Sequence, residues 1–159
     1  MITIPLLAWM IVGFKTEGAI DRASTRNQAV NRLSADFAKD ASSSSQMIAG
    51  GTSCGPLAAG ETTVVSLLNG AITQRIVYLV ATDAAGTPRL VRRTCLPDGS
   101  GISDRTVIPK LGLPAASAVT PTCTLPSSKP GADRCTLTIK LPSGPAVSVT
   151  GSRRTGLDQ

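Results

Sequence analysis

Four cysteines, Cys54, Cys95, Cys123 and Cys135, are the residues of this chain whose chemistry is easiest to place. No two stand at a CxxC spacing and the chain has no histidine, so a zinc site lacks its usual ligands. An even number of well-separated cysteines suits two disulfides formed in an oxidising compartment. Three pairings can be drawn, and four buried, reduced thiols acting as small apolar residues stand as the alternative. The lack of histidine also removes the commonest general base. Ser66 and the serines near Lys129 lack an SxxK spacing and a nucleophile elbow. The six acidic residues beyond Ser45 fall mostly at turn signals, where carboxylates cap backbone N–H groups, and no glycine-rich loop joins a strand to a helix to hold phosphate. The residue types therefore predict no enzyme, no metal centre and no cofactor.

Net charge is +6, and the excess lies in the later part of the chain. Its arginines, Arg75, Arg89, Arg92, Arg93, Arg153 and Arg154, are dispersed among predicted strands and have no aromatic neighbours on which bases could stack. A solvated basic face is the expectation, with Arg89 and Arg93 turned to water and Leu90 inward. Nucleic-acid binding through Arg89, Arg92, Arg93, Arg153 and Arg154 is the alternative, and it would weaken with salt.

The elements that must position these groups follow from pattern. With 159 residues, 42% of them hydrophobic and only 3% aromatic, the chain suits one domain with a core of Val, Ile, Leu and Ala. Met1 to Phe14 carries no charged side chain, whereas from Lys15 the apolar residues thin to a stripe, Ile20, Ala23, Val30, Leu33 and Phe37, with a period near 3.6. One continuous helix over 1–45 is predicted, apolar then amphipathic, ending in Ser42 to Ser45 before Gly50-Gly51. The uncharged run is short of a membrane span by roughly a third, and it lacks the basic segment and cleavage site of a secretory signal. It reads best as a membrane segment that begins upstream; a buried core helix and a cleaved signal are the other readings.

Residues 46–154 read as a β-rich body. TTVVSLLN (Thr62 to Asn69), a turn at Asn69-Gly70 and AITQRIVYLVAT (Ala71 to Thr82) form a hairpin, and RLVRRTC (Arg89 to Cys95) returns after the turn DAAGTP. A short strand is expected at Arg105 to Ile108. Seven of the eleven prolines lie beyond residue 108, which predicts edge strands and extended loops there, closed by a hairpin of CTLTIKL (Cys135 to Leu141) and PAVSVTGSRR. Residues 155–159 should be a disordered tail. Cys54 precedes the first strand and Cys95 ends the third, while TLPSSKPGADR can fold Cys123 back on Cys135. Pairing Cys54 with Cys95 and Cys123 with Cys135 needs the fewest coincidences.

A helix that is apolar first and amphipathic second, a serine-rich loop and an antiparallel sheet together resemble the type IV pilin and type II secretion pseudopilin family. The likeness is sharpest in ITIPLLAWMIVGFKT and in the pair ITQRIVYLV and RLVRRTC. The family's basic leader, its Gly-Phe-type junction and the glutamate inside its apolar run have no counterpart before Phe14, and Glu17 lies after the run. The resemblance implies an α+β fold, with a long N-terminal helix packed on an antiparallel sheet. It also implies a structural subunit of an envelope filament, anchored in the membrane with its body outside. Ile2, Leu6, Trp9, Met10, Val12 and Phe14 would then contact lipid and the helices of other subunits, and a prepilin peptidase and an assembly ATPase would act on the chain. A membrane-tethered binding module, adhesin-like or for DNA uptake, and a secreted soluble β-rich domain are the alternatives.

Overall fold

The computed structural model describes residues 3–69, 74–124 and 131–154, with helical side chains from Ala23 onward. Helix α1 (Thr3–Ser43) is followed by eight strands, β1 (Gln46–Ala49), β2 (Thr62–Asn69), β3 (Gln74–Thr82), β4 (Pro88–Cys95), β5 (Ser103–Ile108), β6 (Val119–Thr124), β7 (Arg134–Ile139) and β8 (Val147–Ser152). The strands form two antiparallel sheets, one in the order β1-β2-β3-β4-β5 and one in the order β6-β7-β8.

This corrects the expected fold class. The helical part described with its side chains, 23–43, is about twenty residues long, and strand outweighs it about two to one, in two sheets rather than one under a long helix. The proline-rich last third was expected to give edge strands and extended loops closed by a hairpin; that hairpin is β7–β8, and with β6 it forms a sheet of its own. Pro121 is accommodated because β6 is an edge. The serine-rich connection after α1 also contains a strand that patterning missed. β1 is only four residues long, with Met47 buried and Ile48 exposed, too short for alternation to register.

The end of α1 is set by its serines. The Ser42, Ser43 and Ser44 hydroxyls donate to the carbonyls of Lys39, Asp40 and Ala41, satisfying acceptors that a helix terminus leaves open. Ser45 N–H then donates to Leu68 O, and the chain enters the first sheet. Leu33, Phe37 and Ala41 are fully buried and Ala29 and Val30 partly so, whereas Ala23, expected on the same stripe, is exposed. Ile20 lies outside the described side chains.

These helical residues share one core with Met47, Val65, Leu67, Tyr78, Leu90, Ile108, Leu137 and Ile139, so α1 and the second sheet cover the same face of the first. Phe37 meets Tyr78 edge to face at 5.3 Å. The helix lies chiefly along β8, where Gly151 permits the approach. A Cβ at Gly151 would stand 2.6 Å from that of Ala41 and 3.1 Å from the Phe37 ring.

The other face of the five-stranded sheet carries a smaller cluster, Cys54, Val77, Leu79, Ala81, Val91 and Cys95. The connection from β1 to β2 lies over it. Arg75 donates to Ser53 O, the Thr82 hydroxyl to Gly60 O, and the Cys54–Cys95 bridge pins the connection to the end of β4.

Candidate functional site

Both disulfides join the cysteines paired on the sequence pattern, Cys54 with Cys95 and Cys123 with Cys135. The second links directly opposed residues of β6 and β7, at a Cα–Cα distance of 4.1 Å. Among the described residues no group of His, Cys, Asp or Glu is arranged to hold a metal ion. The Ser66 hydroxyl donates to Thr52 O and so ties the β1–β2 connection to its sheet. Lys129 lies outside the described residues.

The arginines do not form the solvated face expected of them. Arg93 is 7% exposed and held by two carboxylates, with Nη2 2.7 Å from Glu61 Oε1 and Nε 2.7 Å from Asp104 Oδ1. These two acidic partners push its pKa up, Asp104 first and then Glu61. Burial raises the Glu61 pKa, but the Arg93 hydrogen bond and the Ala58 N–H outweigh it, so the carboxyl sits below its usual range. Arg153 pairs with Asp133 at 2.8 Å and also donates to Ser45 O. Three acidic residues read as solvated turn formers are thus ion-pair partners. Asp83 and Asp98 behave as expected, capping the N–H groups of Ala85, Thr87 and Ser100.

The most elaborate polar arrangement lies where the end of α1 crosses the first sheet. Strand alternation and register place Gln74, Ile76 and Tyr78 of β3, Arg92 and Thr94 of β4, and Ser103 and Arg105 of β5 on one face. Arg92 and Arg105 are direct cross-strand neighbours, which is unfavourable for two like charges alone. Asp36 and Asp40 stand one helical turn apart on α1 and answer them. Asp40 takes Arg92 through two bonds, Nε–Oδ2 at 2.6 Å and Nη2–Oδ1 at 2.8 Å, and Asp36 takes Arg105 at 2.6 Å. The buried Tyr78 hydroxyl also donates to Asp40 Oδ2, at 2.7 Å. Burial, followed by the Asp40 charge and hydrogen bond, drives the Tyr78 pKa well above the ordinary phenol range. The hydrogen bond to Asp40 likewise pushes the Arg92 pKa up. A cleft of about 520 Å³ opens above this face, and Lys39 and Ser43 complete its helical wall.

Patterning missed this cluster, although a trace of it was legible. Asp40 follows Leu33 by seven residues and Phe37 by three, so an acidic residue occupies the apolar stripe itself. A buried carboxylate in that position calls for a cationic partner.

The residues expected to contact lipid or other helices, Ile2, Leu6, Trp9, Met10, Val12 and Phe14, lie outside the described side chains. Among the described residues no helix is long and apolar enough to cross a membrane. A scan of family models and searches of curated proteins and of solved structures give no match to this chain.

Proposed function

We propose that this chain is a structural subunit of an envelope filament of the type IV pilus or type II secretion kind, and not an enzyme. The uncharged run Met1 to Phe14 is its association segment and the disulfide-bridged β body is its outward part. One observation carries the reading: the core shared by the helix and both sheets draws its described helical residues from Ala29 onward. Ahead of that core the described helical side chains, 23–28, are exposed or half-buried, and the uncharged run Met1 to Phe14 is suited by its composition to another partner, membrane or a neighbouring subunit's helix. The pilin and pseudopilin resemblance supplies the remaining parties, a prepilin peptidase and an assembly ATPase. The nucleic-acid alternative is less well supported, because Arg92, Arg93 and Arg153 are already paired with carboxylates.

The test is expression in the native cell from the natural gene. The chain should fractionate with membranes or surface filaments, its body outside and oxidised. Met10→Asp should abolish assembly and leave the body folded, since a charge in an apolar helical setting costs about 2.5 kcal/mol or more. Normal assembly of Met10→Asp, or a cytoplasmic protein with four free thiols, would overturn the proposal.

A further inference from the structure

We infer that the cleft between α1 and the first sheet is a binding site for a small polar ligand bearing an oxyanion, a carboxylate or a phosphate. The inference rests on how its cations are held and is independent of the filament reading. Arg92 is gripped along one edge by Asp40, which Tyr78 pins in turn, so the guanidinium is fixed before any ligand arrives and its side chain keeps 21% exposure toward the cleft. Arg105 commits only Nη2 to Asp36, and its side chain is 49% exposed. Lys39, on the same wall, has no carboxylate partner among the described residues.

Three cations against two carboxylates leave one positive charge uncompensated at the mouth of the cleft, which an oxyanion would neutralise. Arginines held by carboxylates at one edge present their remaining N–H groups in a fixed fork, the geometry that suits planar or tetrahedral oxyanions. The rest of the lining argues for a hydroxylated ligand. Gln74, Thr94 and Ser103 offer donors and acceptors, and among the described residues Ile76 is the only apolar one lining the cleft and no aromatic ring lines it to stack on a base. A volume of about 520 Å³ accommodates one small molecule.

Titration calorimetry of the full chain with glucuronate, glucose 6-phosphate and glucose tests this. Saturable binding of at least one acid and none of glucose is expected, and whichever acid binds more tightly identifies the oxyanion. Arg105→Gln, on the exposed edge strand, should weaken that binding about tenfold or more, as loss of a hydrogen bond to a charged group would. Lys39→Gln supplies the same readout if the loss of Asp36's partner impairs folding. No binding of either acid, glucose binding as tightly as the acids, or unchanged affinity in a folded Arg105→Gln or Lys39→Gln variant would overturn the site.

Discussion

Tyr78 is the only tyrosine in the chain, which makes the buried network observable by itself. Its pKa is raised by burial and by Asp40, so the folded protein keeps a proton that the unfolded chain releases near pH 10. The sign follows from that difference: the contribution of Tyr78 to stability is whole below about pH 10 and is lost as pH rises toward its folded value. Phenolate absorbance should therefore stay silent as pH passes the ordinary tyrosine range and emerge together with loss of the circular dichroism of the sheets. Phenolate forming near pH 10 in a protein that is still folded would show that Tyr78 is not held as described. At this scale the sequence was most informative about the cysteines, whose spacing and neighbouring strands led to the observed bridges. It was least informative about Arg92 and Arg93. Adjacent arginines on a strand must face opposite ways, and each found carboxylates far away in sequence, Asp40 for one and Glu61 for the other, that no local pattern connects to them.

Among the elements, the contact of α1 with β8 is the one most sensitive to a single methyl group. Gly151→Ala forces a Cβ against the Ala41 Cβ, the Phe37 ring and the Phe37 carbonyl oxygen, and overpacking of this kind costs about 1–3 kcal/mol. Urea unfolding should register that loss, and a larger one for Gly151→Val. Gly86→Ala is a useful contrast, because it meets nothing within 4 Å and should cost only about 1 kcal/mol for its positive φ. Equal losses at the two sites would contradict the packing described. β2, β3 and β4 and the closing hairpin β7–β8 were legible because β-branched runs and period-two alternation mark them directly. The pairing of α1 with the last strand was not, since Gly151 reads locally as a strand breaker and only the close approach of the helix gives it a purpose.

For the whole molecule, composition and turn signals indicated a β-rich body, but the division into two sheets was hidden. Hydrophobic alternation tells which face of a strand is buried and is silent about which sheet the strand joins. The helix-on-one-sheet expectation failed for that reason. The last third has its own ladder because β6, β7 and β8 pair consecutively and leave the edges to β6 and β8.

The Cys54–Cys95 bridge has a mechanical consequence. Tension applied through the N-terminal end of α1, as on a subunit held by that end, would draw the helix off β8 and then load β1, an edge strand with a single ladder partner. Residues 44–54 could extend by no more than about 40 Å before Cys54 pulled taut on Cys95. From there the load would pass to β4, an interior strand hydrogen-bonded on both sides. In single-molecule stretching from residue 1 against an attachment at the C-terminus, the oxidised protein should yield a short early release and then hold. Reduction of the bridge should remove that stop and let β2 and β3 follow β1 without a pause. The first covalent bridge thus acts as a tether of fixed length, limiting how much of the body can be given up when its helix is pulled.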